Sequence, residues 1–171
     1  MSERRLWFLL IVAAIGTMAV GYVTVPDAAP IELHHDWGFM DAIDIFVNNL
    51  IVIGVLVVFS PLGVPPFLFS FYFWYNIGAV ATEADIGLLS FIVASAPHGI
   101  GEVACTIAVC VFTIKQYRVL LAVFRGTSSL ADLKAIYVRF LTTTFPVIVL
   151  VLLCSAFIEV YVSNTLMGLF V

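Results

Sequence analysis

Long apolar stretches that lack charged residues limit this chain to few kinds of fold. Residues 6–25 contain no Asp, Glu, Lys or Arg, and similar runs recur along the sequence. A helix needs about 20 consecutive apolar residues to cross the hydrocarbon core of a bilayer. Of the 171 residues, 63% are hydrophobic and 11% are charged, far from the balance of a soluble domain. The sequence therefore predicts an integral membrane protein and excludes a large soluble domain.

Charged and helix-breaking residues divide the apolar sequence into predicted transmembrane spans. These are residues 6–25, 45–59, 67–81, 86–114 and 140–162. Proline cannot continue a helix through its interior, so Pro61, Pro65 and Pro66 separate the second span from the third. The sequence therefore predicts an all-α fold in which residues 1–171 form a single polytopic transmembrane helical bundle of about five spans.

The first span has an alternative interpretation as a cleaved signal peptide, because the small residues Ala28 and Ala29 follow it. Its apolar run is longer than the ~7–15 residues of a signal-peptide core. We therefore expect the first span to be a retained membrane anchor.

The fourth span is unusual because Pro97, His98 and Gly99 interrupt its apolar run. Residues 86–114 are too many for one straight crossing, and proline is best tolerated in the first turn of a helix. We therefore predict a broken or re-entrant half-helix before Pro97 and a second helix that begins there. Such breaks occur at membrane depth only inside the protein or beside a water-filled cavity.

The Lys and Arg residues predict how the chain lies across the membrane. All seven fall either at Arg4 and Arg5 or in a connector over residues 115–139. The connector residues are Lys115, Arg118, Arg125, Lys134 and Arg139. Because basic residues concentrate in cytoplasmic segments, we expect a multi-pass protein of the cytoplasmic (plasma) membrane, with its N-terminus inside and its C-terminus outside. The connector also suits an amphipathic helix pair on the surface of anionic lipid.

Three ionisable residues lie within the apolar spans: His98, Glu102 and Glu159. A carboxylate at the centre of a helix costs about 2.5–3.5 kcal/mol on insertion scales, so it is usually neutralised, paired or beside a cavity. His98 and Glu102 are four residues apart and therefore share one helix face. We expect a buried polar cluster between helices that contains His98, Glu102, Glu159, Asn76, Asn48 and Asn49.

Several roles are open for this cluster. It could be a hydrogen-bonded knot that fixes helix packing, a proton or ion path, a metal site or a catalytic dyad. A metal site would use His98, Glu102 and Glu159, but the sequence offers no further nitrogen ligand within the membrane. A His-His-Asp sequence at residues 34–36 lies in a predicted outer loop, where such residues are usually solvated. We therefore predict no bound metal and no cofactor.

Four short motifs follow one another along the chain. They occupy residues 46–49, 75–79, 97–102 and 157–162. Their sequences are Phe-Val-Asn-Asn, Tyr-Asn-Ile-Gly-Ala, Pro-His-Gly-Ile-Gly-Glu and Phe-Ile-Glu-Val-Tyr-Val. The series resembles the stage II sporulation protein M (SpoIIM) family of polytopic membrane proteins, and the Pro-His-Gly-x-x-Glu element is the most specific part. The chain departs from the family pattern at Ile77, where glycine is expected.

The resemblance implies a non-enzymatic membrane component. In spore formers the family member is similar to a scaffold for cell-wall-degrading partners, and other members resemble parts of bacteriocin export or immunity systems. The family-typical positions in this chain are Asn48, Asn49, Asn76, Pro97, His98, Gly99, Glu102 and Glu159. We therefore expect an integral membrane scaffold or assembly component. A small transporter or channel and an intramembrane metal-dependent enzyme are the alternatives.

The expected partners follow from the membrane location and the charge. We expect contacts with membrane lipids and with other membrane or cell-envelope proteins. Gly54 and Gly78 could permit close helix contacts, and a homodimer fits a bundle of this size. The net charge of -4 and the pI of about 5.1 argue against a general nucleic-acid role, so we expect no nucleic-acid partner.

Overall fold

The fold consists of helices and turns in the part of the chain that the computed structural model describes, residues 2–25, 37–83 and 87–169. This confirms the predicted all-α class. The helices are α1 Glu3–Thr24, α2 Phe39–Phe59, α3 Val64–Glu83, α4 Leu88–Phe124, α5 Leu130–Arg139, α6 Phe145–Ile158 and α7 Asn164–Gly168. A 3₁₀ turn at Ser60–Leu62 lies between α2 and α3.

The last three helices form one continuous rod over Leu130–Gly168, which we call the C-terminal rod. Two π-helical turns lie within it, Phe140–Thr144 between α5 and α6 and Glu159–Ser163 between α6 and α7. Pro146 accounts for the first widened turn. Its ring cannot donate a hydrogen bond to the Thr142 carbonyl and would collide with that group in a regular α-helix.

The outer surface of the bundle is apolar. Within the described residues, four segments are long and apolar enough to cross a membrane: Glu3–Thr24, Phe39–Leu62, Leu88–Phe124 and Leu130–Gly168. Large apolar side chains stand on their outer faces, as at Val58, which is 72% exposed. Soluble proteins rarely expose apolar surface of this extent. The chain is therefore a membrane protein.

Helix α4 runs without interruption through Pro97, so the predicted break or re-entrant half-helix is wrong. Proline removes one backbone hydrogen bond, here the bond to the Val93 carbonyl, and membrane helices tolerate that loss. Pro97 is exposed at the bundle surface, so its ring displaces no neighbouring helix. Gly99 also stays helical, with open space where a Cβ would lie. The fourth span is therefore one helix of 37 residues.

The predicted connector over residues 115–139 is not a separate element. Its first part is the end of α4, which continues to Phe124, and its second part is α5, which begins at Leu130 and continues into the C-terminal rod. The two parts form a helical hairpin. We call residues 115–139 the basic hairpin.

The turn of the basic hairpin has clear local causes. Gly126 has a φ of 71°, in the left-handed region that glycine adopts without a steric penalty. Ser129 and Asp132 then form a capping box at the start of α5. The Ser129 hydroxyl accepts from the Asp132 backbone N–H at 3.3 Å, and the Asp132 carboxylate accepts from the Ser129 backbone N–H at 2.8 Å.

Helix α4 is the centre of the bundle because it contributes to two apolar cores. On one side, Val109 and Phe112 are buried against α2 and the C-terminal rod. On the other side, Ile107 and Val111 are buried with residues of α1 and α3, including Trp74. The remaining helices are therefore arranged around α4.

Helices α1 and α3 cross at very short range through two glycines. A Cβ at Gly21 would overlap the Tyr75 carbonyl, and a Cβ at Gly78 would overlap the Met18 carbonyl. Gly54 has nothing within 4 Å of its Cβ position. Of the two glycines that the sequence marked for close contacts, Gly78 therefore makes one inside the chain, and Gly54 makes none within the described residues.

Contacts near the helix ends define which segments share an end of the bundle. Lys115 Nζ lies 2.8 Å from Glu3 Oε1, so the N-terminal residues and the basic hairpin lie at the same end. At the other end of α1, the Thr24 hydroxyl lies 3.0 Å from the Tyr75 hydroxyl. An exposed ion pair of the Glu3–Lys115 kind contributes about 0–1 kcal/mol. The Glu3–Lys115 pair therefore adds little to stability, but its position shows which helix ends lie together.

Candidate functional site

Two polar contacts tie α4 to the helices on either side of it. Asn49 in α2 donates a hydrogen bond from Nδ2 to Glu102 Oε1 at 2.5 Å. One turn earlier on α4, His98 Nδ1 lies 2.7 Å from Ser163 Oγ in the C-terminal rod. Polar contacts between membrane helices contribute about 0.6–2 kcal/mol each. The two contacts therefore join α2, α4 and the C-terminal rod at the Pro-His-Gly-x-x-Glu motif.

Glu159 approaches the same region from the C-terminal rod. It lines one cavity together with His98 and Glu102. Glu159 and Ser163 are the first and last residues of the second π-helical turn, and such turns are frequent at functional sites. In residues 2–25, 37–83 and 87–169, no side chain forms a hydrogen bond with the Glu159 carboxyl group, and its oxygens are not sealed from the cavity.

The other predicted members of the cluster have different positions. Asn76 in α3 lines the same cavity. Asn48 is exposed on α2, so its predicted place in the buried cluster is wrong. Consecutive residues of an α-helix point about 100° apart. Asn48 and Asn49 therefore cannot both face α4, and it is Asn49 that does.

A cavity of about 1300 Å³ lies between α1 and α4, with α3 and the C-terminal rod behind it. Most of its lining is apolar. Ile15 and Ile100 line it and are 62% and 70% exposed, so the cavity opens onto the outer face of the bundle. Its polar lining residues include Asn76, Ser95, His98, Glu102, Glu159, Ser163 and Asn164.

The cavity does not continue along α4 to the basic hairpin. Ile107 is the α4 residue nearest the hairpin that lines it. Beyond Ile107, the side chains of Cys110 and Val111 are buried in the core shared with α1 and α3. Along α1, in contrast, the lining extends from Trp7, one turn from Glu3, to Val23 near the other helix end, so the cavity spans most of the length of that helix.

The described part of the chain holds no arrangement of side chains that matches a metal site. There, no three His, Cys, Asp or Glu side chains are arranged to hold a metal ion. His98 and Glu102 instead contact Ser163 and Asn49. The His-His-Asp sequence at residues 34–36 lies outside the described residues.

Sequence reasoning missed several polar partners. Ser163, the partner of His98, lies four residues after Glu159, which is the same helical spacing that links His98 to Glu102. The four-residue spacing from Glu159 could have indicated Ser163 as a member of the cluster. The buried pair of Ser60 and Gln116, whose Oγ and Oε1 atoms are 2.8 Å apart, connects the α2–α3 turn to α4. No spacing rule indicates this pair, because its members are far apart in the sequence.

The basic hairpin holds the residues predicted to lie at the membrane surface. Lys115 pairs with Glu3 at its base. The other four basic residues are exposed: Arg118, Arg125, Lys134 and Arg139. Large apolar side chains are exposed among them: Tyr117, Leu121, Phe124, Leu130 and Val138. The hairpin thus presents a surface that is both basic and apolar.

One comparison with known proteins gave a match. A family model described as SpoIIM, Stage II sporulation protein M, matches residues 6–164. The match includes α1 from its fourth residue onward, helices α2 to α4, the basic hairpin and both contacts of the polar cluster. Neither the curated proteins nor the solved structures gave a match.

Proposed function

This chain belongs to the SpoIIM family, as its motifs suggested, and we propose that it is an integral membrane assembly component that docks partner proteins on its basic hairpin. In this proposal the N-terminus and the hairpin face the cytoplasm, because basic residues concentrate on that side. The contacts of Glu102 and His98 form a knot that fixes the helices from which the hairpin projects.

The observation that carries the proposal is the length of the two helices that form the hairpin. Helix α4 has 37 residues. At about 1.5 Å per residue it is about 56 Å long, whereas the hydrocarbon core of a bilayer is about 30 Å thick. Part of α4 must therefore lie outside that core. The basic residues of the hairpin support the view that the excess length lies there, in the part of α4 after Lys115 and in the start of the C-terminal rod.

The exposed surface of this extension favours a protein partner. Phe124 and Leu130 are 79% and 70% exposed at its tip. Outside the hydrocarbon core these side chains would face water, and covering their apolar surface with a partner is favourable. The nearby Arg125 gives the same surface a positive charge, so an acidic partner surface matches it.

A lipid surface is the alternative occupant of the hairpin. For the hairpin to lie flat on a bilayer, α4 would have to bend sharply where it leaves the membrane. Helix α4 is continuous across Lys115 and its α-helical bonding extends to Phe124. This continuity supports a projecting hairpin, with lipid contacts at its base near Lys115 and Arg139.

The proposal predicts that apolar residues at the tip are needed for a stable complex. We expect tagged chain, extracted from its own cells in digitonin, to migrate as a discrete complex with a stoichiometric partner. In a variant that combines Phe124→Glu with Leu130→Glu, the partner should be lost because the apolar contact is replaced by charge. The measurement is native electrophoresis with quantification of the co-purified protein.

The matched control is Ala131→Glu, which adds an acidic residue to the exposed face of α5 without removing a large apolar side chain. It should retain most of the partner. Wild-type chain that migrates alone, or as a homodimer without a further protein, would contradict the proposal. So would a complex that survives the double substitution unchanged at equal expression.

A further inference from the structure

We propose that the cavity between α1 and α4 binds a lipophilic organic cation, with Glu159 as its counter-charge. This inference goes beyond the assembly role and does not depend on it. The cavity and the tip of the basic hairpin are formed by different residues, so either proposal can fail while the other stands.

The size and lining of the cavity fit an apolar molecule that enters from the lipid phase. The cavity has about 1300 Å³, which is above the roughly 300–1,000 Å³ of common small-molecule sites, so a bulky apolar molecule has room in it. Aromatic side chains line it, including Trp7, Tyr22, Phe73 and Phe91. Aromatic faces attract organic cations. The exposed Ile100 at its edge places the opening on the lipid-facing side.

No Lys or Arg is among the described residues that line the cavity. Its carboxylates are Glu102 and Glu159, and His98 is the histidine beside them. Glu102 accepts from Asn49 and His98 contacts Ser163, whereas Glu159 forms no hydrogen bond in the part of the chain that the structure describes. A carboxylate at this depth requires neutralisation or a partner. Glu159 therefore lacks a partner among the described residues, and a bound cation would supply one.

Other occupants match the cavity less well. An acyl chain or a neutral apolar helix would leave Glu159 facing hydrocarbon, and an anionic lipid would be repelled. A second copy of this chain cannot supply the missing positive charge from within its spans, since all Lys and Arg residues lie at residues 4–5 or 115–139. A cation with an apolar exterior matches both the apolar lining of the cavity and the Glu159 carboxylate.

The test uses tetraphenylphosphonium as the probe and the purified full chain in detergent. Equilibrium dialysis against empty micelles should show saturable binding of one probe per chain. In Glu159→Gln the affinity should fall about tenfold, because the attraction between the carboxylate and the phosphonium charge is lost. Tetraphenylborate, which has the same shape and the opposite charge, should not bind saturably. The matched control is Asp44→Asn, an exposed carboxylate of α2 that does not line the cavity.

A second variant keeps the proposal testable if Glu159→Gln fails to fold. Gly99 lines the cavity and has open space at its Cβ position, so Gly99→Leu should fill part of the cavity without disturbing a neighbouring helix. It should also weaken binding about tenfold. Absence of saturable binding to the wild-type chain would overturn the proposal. So would equal binding of the two probes, or unchanged affinity in folded Glu159→Gln or Gly99→Leu.

Discussion

Gly78→Ala is expected to destabilise the folded chain by about 2–3 kcal/mol, although it adds a single methyl group. The new Cβ would overlap the Met18 carbonyl, which is backbone and cannot rotate away. To relieve the overlap, α1 and α3 must move apart at the point where they cross. Gly21→Ala should act in the same direction, because its Cβ would overlap the Tyr75 carbonyl from the other side of that crossing.

The chain offers matched controls for this prediction. Gly16 is also in α1 and Gly54 is in α2, and neither has any atom within 4 Å of its Cβ position. Alanine is the better helix former by about 1 kcal/mol, so both control variants should be unchanged or slightly more stable. The measurement is the fraction of monodisperse protein that survives a series of heating steps in detergent. Equal losses at Gly78 and Gly54 would contradict the close crossing.

Asn49→Ala is expected to cost about 1–2 kcal/mol because it removes the donor to Glu102 between α2 and α4. Asn48→Ala changes the neighbouring, exposed asparagine and should have no measurable effect. Glu102→Gln should be mild, since a glutamine side-chain oxygen can still accept from Asn49 Nδ2. The same thermal assay in detergent compares the three variants.

A double-mutant cycle isolates the Asn49–Glu102 contact from other effects. The cycle combines Asn49→Ala with Glu102→Ala and should give a coupling energy of about 1 kcal/mol. A coupling energy near zero would show that the two residues act independently. Equal losses of stability in Asn48→Ala and Asn49→Ala would contradict the contact between Asn49 and Glu102.

The sequence was sufficient for those features that depend on local chemistry. Long apolar runs determined the helical membrane fold, and the prolines around Pro61 marked the turn between α2 and α3. The basic residues grouped the N-terminus with the hairpin, and the Glu3–Lys115 contact places them at one end of the bundle. Helical spacing placed His98 and Glu102 on one face of α4, where both line the cavity.

The remaining features depend on how helices rotate and pack against one another. Sequence spacing could not tell which of Asn48 and Asn49 faces α4, because that choice depends on the rotation of α2 in the bundle. Helix α4 continues through Pro97 in the packed bundle, which the local preference of proline did not indicate. Ser163 became a partner of His98 through the position of the C-terminal rod. Tertiary contacts between distant segments, rather than local propensity, decide such features.

We propose that the chain assembles partner proteins on the tip of its basic hairpin. Site-specific photo-crosslinking in living cells tests it most directly, with the photoreactive residue placed at Phe124 and, as a control, at Leu150 on the exposed face of α6. We expect a discrete protein adduct at position 124, abolished by Leu130→Glu, and no protein adduct at position 150. Lipid adducts alone at position 124, or the same adducts at both positions, would contradict it.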